Sequence, residues 1–256
     1  MKTKDQKQTF DQTFADTLVR WQQRFGRNTL PWQTHPSPYH TWISEIMCQQ
    51  TQVGTVIPYF KKFIQSFPTP LALANASEAE VLRHWSGLGY YARARNLHRT
   101  ACQIVEKFEG EIPQDLETLQ TLPGIGRSTA GAICALAFNQ PASILDGNVK
   151  RVLSRILNLD TWPGTPENIK ILWALSTQRM STHHPARYTQ AIMDLGALIC
   201  TRTQPRCDQC PVASDCAAYA KQTTDRCPVP RPKRAIPSRF NIWVLIKTPT
   251  HILLKQ

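Results

Sequence analysis

Apolar positions recur every three or four residues from early in the chain. Phe10, Phe14, Leu18, Trp21 and Phe25 fall on one stripe, which predicts an amphipathic helix ending near Gly26. The same period predicts helices near 38–48, 52–66, 77–86, 90–109, 126–138, 148–158, 166–179 and 186–201. Ser77 and Glu80 have the spacing of a capping box, and Gly110 stands where a helix terminator belongs. Nothing in the first 225 residues alternates with a period of two over a useful length, so this part is expected to be all-α. Around Cys227 the pattern changes: Pro228, Pro230 and Pro232 among basic residues predict a semi-rigid linker over 226–236. Beyond it, 240–246 and 251–255, separated by Thr248-Pro249-Thr250, read as two strands and a turn. Two strands cannot bury a core alone, so 237–256 is expected to be the incomplete start of a β-containing domain. Residues 1–8 are expected to form a disordered tail.

Composition narrows the function classes. At 256 residues and 41% hydrophobic content the chain can hold one large or two ordinary domains. The formal charge of +12 points to a polyanionic partner, nucleic acid first. Seven of those positive charges, with no acid, lie in 226–256 and leave +5 for the rest, so the tail carries much of the signal. No stretch reaches the ~18 apolar residues of a membrane span, and the N-terminus lacks the apolar core of a secretory signal. A cytoplasmic protein with no membrane contact is expected. Cys48, Cys102, Cys134 and Cys227 are scattered, which argues against a disulfide framework.

The other four cysteines are not scattered. Cys200, Cys207, Cys210 and Cys216 form a C-x6-C-x2-C-x5-C run that can wrap one metal centre, and spacing alone leaves zinc and an iron-sulfur cluster both open. Three further segments carry chemistry. Leu122-Pro-Gly-Ile-Gly-Arg127 is a glycine turn before a helix; Gly124 and Gly126 permit positive φ and leave amides pointing outward, where a phosphate fits. Asp146, ahead of Gly147-Asn148-Val149-Lys150, has the place of an N-cap, a role compatible with staying ionised to stabilise a developing positive charge. Glu45 lies between Ile43, Ile46 and Met47; a Glu so flanked is usually on the surface, but burial would raise its pKa and make it a proton donor near neutral pH.

Leu30-Pro-Trp32, Ser44-Glu-Ile-Met-Cys-Gln-Gln-Thr-Gln52, Gly87-Leu-Gly-Tyr-Tyr91, Leu122-Pro-Gly-Ile-Gly126, Asp146-Gly-Asn148 and the cysteine set follow one another in an order that resembles the helix-hairpin-helix glycosylase superfamily that includes endonuclease III, most closely its MutY adenine glycosylase branch. The resemblance runs through 14–225. It implies a two-lobed helical domain over 9–225, with one lobe at about 34–139, the other at 9–33 plus 140–225, and DNA in the cleft. It implies a [4Fe-4S] cluster on Cys200, Cys207, Cys210 and Cys216 in the loop 200–216, and a MutT-like, 8-oxoguanine-recognising domain beginning in 237–256. The implied activity is monofunctional removal of adenine opposite 8-oxoguanine or guanine, by a monomer working on double-stranded DNA in a bacterial nucleoid. Glu45 would protonate the adenine and Asp146 would stabilise the sugar cation. Ser128, Asn148, Lys150, Gln190 and Trp32 would position substrate. Gln49, Gln50, Thr51, Leu88, Tyr90, Gly124, Gly126, Arg127, Arg202 and Arg206 would meet DNA. Ser128 stands where endonuclease III has its nucleophilic lysine, so no Schiff base and no strand cleavage are expected. Cys48 departs from the larger apolar residue expected at its place. The alternatives are an oxidised-pyrimidine or G·T mismatch glycosylase and a non-catalytic DNA-binding module.

Overall fold

A computed structural model describes the backbone of residues 4–34, 36–232, 247 and 250, with side chains from residue 13 onward. The helices are α1 (Lys4–Phe25), α2 (Pro31–Thr34), α3 (Pro38–Cys48), α4 (Val53–Ser66), α5 (Pro70–Asn75), α6 (Glu78–Trp85), α7 (Ala92–Phe108), α8 (Leu116–Thr121), α9 (Arg127–Phe138), α10 (Gly147–Leu157), α11 (Pro166–Arg179) and α12 (Pro185–Asp194), then α13 (Ala217–Ala220). Between α12 and α13 lie a π-helical turn, Leu195–Ile199, and two 3-10 turns in the cysteine loop. Among the described residues no β-strand element forms, and no helix is long and apolar enough to cross a membrane. The boundaries follow local chemistry. The hydroxyls of Ser37, Thr69, Ser77 and Thr165 and the carboxylates of Asp115 and Asp146 cap helix N-termini, and Pro38, Pro70, Pro166 and Pro185 sit in first turns, where a missing N–H costs nothing.

Two apolar cores form. One gathers Trp42, Ile43, Met47, Phe60, Phe63 and Trp85 with α7 and α8; the other gathers Phe14, Leu18, Val149, Leu153, Leu172 and Ile192. α9 lies between them. Ala130, Ile133 and Cys134 face the first core and Ala132 the second, so the helix is apolar all round, as a helix buried between layers must be. Its small residues set the approach. A Cβ at Gly131 would overlap the carbonyl oxygen of Ser143, so the chain leading to Asp146 lies directly on α9.

Several expectations are corrected. α1 begins at Lys4, so most of the segment expected as a disordered tail is helical. Of the two glycines in the turn before α9, only Gly124 uses positive φ (80°), with Asn96 packed where a Cβ would stand; Gly126 is extended and caps α9. The expected strands at 240–246 and 251–255 lie outside the described residues. In the described part of the linker, Arg155 Nε donates to the Cys227 carbonyl (2.7 Å) and the Arg231 guanidinium lies 5.4 Å from the Trp162 ring.

Gly131→Ala should lower unfolding free energy by about 1–3 kcal/mol, the cost of overpacking a close contact. Urea denaturation followed by circular dichroism checks it, and an unchanged midpoint would mean that α9 and the Ser143 segment are free to part.

Candidate active site

A cavity of about 1170 Å³ opens where α3, α9, α10 and α12 converge. Glu45 enters it from α3 and Asp146 from the head of α10; Ser128, Asn148, Gln190 and Trp32 also line it. Sequence positions 45 and 146 are thereby brought to one chamber from elements anchored in different cores. Lys150 does not line it. Its backbone amide donates to the Asp146 carbonyl (2.9 Å), one turn along α10. A second hollow of about 620 Å³, around Arg127, Trp173 and Lys170, holds neither carboxylate.

Enclosure decides the electrostatics. Burial first, and then the negative charge of Asp146, push the Glu45 carboxyl up while Arg27 pulls it down, and together they bring it to about 7. Glu45 is half-buried and lines the cavity. Asp146 is also raised. Burial outweighs the hydrogen bonds from the Val149 and Asn148 amides and the cations Arg151 and Arg27, against the expectation that a cap alone would hold it ionised. The charge of Asp146 is felt at Glu45, which it raises. Asp146 Oδ1 accepts from the Val149 amide at 2.7 Å, which fixes the carboxylate at the head of the helix.

The surroundings hold these groups in place. Asp194, fully buried, accepts from the Arg27 amide (2.7 Å), from Arg27 Nε (2.7 Å) and from Gln190 Nε2 (2.8 Å), and Arg27 Nη2 stands 2.7 Å from the same carboxylate. A cation is thus clamped at the cavity wall. The Ser128 hydroxyl oxygen accepts from the Leu145 amide (3.0 Å), tying α9 to the residue before Asp146 and leaving its own hydrogen free. Asn148 Oδ1 accepts from Arg151 Nη2 (2.8 Å), which also donates to the Gly196 carbonyl (2.7 Å) in the π-helical turn. A Cβ at Gly196 would stand 2.7 Å from Cβ of Asn148, so that turn too needs a glycine. Arg27, Arg151 and Asp194 were not among the sequence-predicted residues. An Arg directly before Asn-Thr-Leu or an Asp inside a helix has no local signature, and only the fold brings them together.

The residues expected to meet DNA divide. Gln49, Gln50, Thr51 and Arg202 line the cavity. Tyr90 is 60% exposed nearby, whereas Leu88 is 6% exposed and part of the first core, so its side chain presents no surface to a duplex. Arg127 lies with its guanidinium 3.9 Å from the Trp173 ring, and Arg206 donates to the Leu198 carbonyl; neither lines the cavity. Gly124 and Gly126 stay at the turn before α9, away from the chamber.

Cys200, Cys207, Cys210 and Cys216 are all free thiols, half-buried on one loop. Burial raises Cys210, the Val212 amide lowers it, and Cys200, Cys216 and Cys207 raise it, to about 12 in all, so the four sulfurs share one electrostatic neighbourhood. The Arg155 guanidinium donates to Cys200 Sγ at 3.2 Å. Among the described residues no three His, Cys, Asp or Glu side chains stand as the ligands of a single metal ion. A cuboidal cluster spreads four thiolates more widely than one ion does, and a guanidinium beside a sulfur suits a core whose net charge is negative. The donor set fits such a group.

Residues 43–178 match the family model of the HhH-GPD superfamily of base excision DNA repair proteins. The adenine DNA glycosylase of Buchnera aphidicola subsp. Baizongia pistaciae is 44% identical over 233 residues, 91% of this chain and 66% of that protein. That of Buchnera aphidicola subsp. Acyrthosiphon pisum is 39% identical over 95% of this chain and 69% of its own length, and the human adenine DNA glycosylase 43% over 80% and 39%. The chain therefore spans about two thirds of the length of these bacterial relatives and about two fifths of the human one. Among solved structures, a thermostable thymine-DNA glycosylase superposes with a TM-score of 0.74 at 25% identity, covering 85% of this chain and 98% of that one. A non-covalent endonuclease III-DNA complex gives 0.68 at 22%, covering 87% and 99%, a likeness of fold. The chain belongs to the HhH-GPD superfamily of base excision DNA repair proteins and, within it, to the adenine DNA glycosylase family.

Proposed function

We propose that this protein is a monofunctional DNA glycosylase that hydrolyses the N-glycosidic bond of adenine paired with 8-oxoguanine or guanine. The observation that carries the reading is the pair Glu45 and Asp146, facing one cavity large enough for an extruded nucleoside, with the Glu45 carboxyl brought to about 7 by burial and by the charge of Asp146. A base inside the stack cannot be reached, so the adenine is first flipped into the chamber. Glu45 gives its proton to N7. The C1′–N9 bond then breaks, with its electron pair going to N9. Asp146 faces the positive charge left on the sugar, as the second carboxylate of a glycosidase does. Water adds at C1′ and its proton returns to Glu45, leaving an abasic site. Ser128, with its hydrogen free, and Asn148 orient the sugar and water, while Gln190 and Trp32 bound the purine pocket. Arg27 balances both carboxylates. No amine stands at position 128, which supports a glycosylase without lyase activity over an endonuclease III-like one.

The four cysteines would hold the [4Fe-4S] cluster, which supplies a rigid core for the loop carrying Arg202 rather than a step in hydrolysis. Arg202 is exposed at the cavity mouth, and the basic loop supports phosphate contact. The MutT-like domain belongs to the same proposal, as do monomeric action and association with the bacterial nucleoid.

On a duplex with one adenine opposite 8-oxoguanine, single-turnover assays should give a nicked product only after alkali. Glu45→Gln and Asp146→Asn should each slow release by at least about 100-fold while duplex binding survives. Asn caps a helix about as well as Asp, so the second variant tests charge rather than fold. Full activity in either variant rejects the assignment, and activity on an oxidised pyrimidine in its place selects the endonuclease III-like reading.

The excision rate should fall as pH rises through about 7, where Glu45 loses its proton. Stability shares the sign: between 4.5 and about 7 the unfolded chain releases a proton that the folded chain keeps, so stability declines across that window. At 1.36 kcal/mol per pKa unit the decline is about 3 kcal/mol. Glu45→Gln should remove it, measured as denaturation midpoints at both ends of the window.

Purified protein should be brown and carry about four iron and four acid-labile sulfide per chain. Zinc with no colour would overturn the cluster.

A further inference from the structure

Arg93, at the first turn of α7, is 9% exposed and stands outside the catalytic cavity. Its guanidinium donates six hydrogen bonds to two separate loops. Nη1 donates to the carbonyls of Ile46 (3.1 Å), Met47 (2.7 Å) and Gln49 (2.5 Å), which closes the C-terminus of α3. Nη2 donates to the Thr51 hydroxyl (3.1 Å) and across to the carbonyls of Leu88 and Gly89 (3.3 Å each). The same group lies 5.3 Å from the Trp85 ring and 5.5 Å from the Tyr90 ring. A helix C-terminus alone would be satisfied by the first three bonds. Of the other three, the bond to Thr51 stays on the first loop and the two to Leu88 and Gly89 reach the second; the two terminal nitrogens of one planar guanidinium do both, while Nε has no partner among the described residues.

What the two loops carry gives this a meaning. Gln50 and Tyr90 are both exposed, and both hold left-handed backbone, with φ of 56° and 49°. Non-glycine residues enter that region when their surroundings hold them there, and such positions concentrate at clamps and working sites. Each lies next to a carbonyl that Arg93 grips, Gln49 in one case and Gly89 in the other. Gln50 also lines the cavity.

We propose that Arg93 is a positioning residue that locks Gln50 and Tyr90 into one rigid pair, the two prongs that enter the duplex and keep the adenine out of the stack. The inference rests on the reading of the site as a base-extruding glycosylase. Arg93 touches neither substrate nor reacting atoms. It fixes the separation of two side chains on different loops, so that stacking lost in the duplex is replaced at once on both sides of the gap. Lysine keeps the charge but has a single nitrogen with three donors, and cannot span both loops.

The test is extrusion measured apart from chemistry. In a Glu45→Gln background, a duplex with 2-aminopurine in place of the target adenine should brighten on binding; adding Arg93→Lys should remove most of that rise. With Glu45 intact, Arg93→Lys should slow single-turnover excision from a fully paired duplex by at least about tenfold, as a misplaced positioning group does. On a substrate whose flanking pairs are mismatched, so that the adenine is already unstacked, it should recover to near the wild-type rate. A merely structural role would depress both substrates alike. An unchanged fluorescence rise, or an equal loss on both substrates in a folded variant, overturns the proposal. If Arg93→Lys does not fold, Thr51→Val removes the one bond by which Nη2 holds the first loop and leaves the five carbonyl bonds, three on the first loop and two on the second, in place. It should show the same substrate dependence at smaller amplitude, and its absence there also overturns the proposal. Wild-type protein inactive on adenine opposite 8-oxoguanine would instead reject the underlying function.

Discussion

Glu45 and Asp146 are anchored in different hydrophobic cores, and the burial of both beside one cavity is the constraint on which the remaining structure depends. Neither core could deliver the pair alone. α9 joins them by being small enough to be approached from both sides. Gly131 admits the Ser143 carbonyl, and Ser128 holds the Leu145 amide, so the chain is fixed to α9 on the residue before Asp146. A larger side chain at 131 would lengthen the path from one carboxylate to the other. In an interior packed like a crystal, that shift has nowhere to dissipate.

Charge follows from that placement. Asp194 is fully buried and would be costly without a partner, and Arg27 supplies one through a close multiple contact that also stations a cation beside the two carboxylates. Arg27, Arg151 and Arg202 bring positive charge to this cavity beside Asp146, and burial favours the proton on Glu45. Handing that proton to a purine restores a negative charge in the chamber as the sugar becomes positive. The resting arrangement therefore carries one proton that can leave toward the base, with a counter-charge already in position. Partial burial strengthens each of these interactions, since buried charges are screened less than exposed ones.

Much of this was legible in the sequence where a signal is local. Helices α3, α4, α6, α7, α9, α10 and α11 appear within a residue or two of the boundaries that periodicity and caps predict, and Ser77 accepts from the Glu80 amide as its spacing requires. α2, α5, α8 and α13 were missed, each only four to six residues long, too short for a 3.6-residue period to declare itself. The expected helix over 186–201 divides into α12 and a π-helical turn, a distinction periodicity does not carry. Glu45, Asp146, Ser128, Asn148, Gln190 and Trp32 are named through the family resemblance, and the fold brings all six to one chamber. Arg27, Arg93, Arg151 and Asp194 act through partners tens of residues or more away, and their neighbours in sequence hold no trace of that.

Asp146 shows why a cap and a reactive group can be one residue. An N-cap needs a single acceptor, and Oδ1 fills that need with the Val149 amide, while the Asn148 amide also acts on the carboxyl. Capping alone does not require Asp, because Asn or Ser would serve at similar strength. Nor does burial favour it, since enclosure raises the carboxyl against the pull of two amides and two arginines. A residue that helix geometry does not demand and desolvation opposes is accounted for by what remains, a negative charge aimed where a sugar becomes positive. The cap then has a second consequence. By tying Oδ1 to the helix backbone it fixes where the carboxylate stands, with Arg151 and Arg27 near enough to lower its pKa, so the charge is already placed when the glycosidic bond opens.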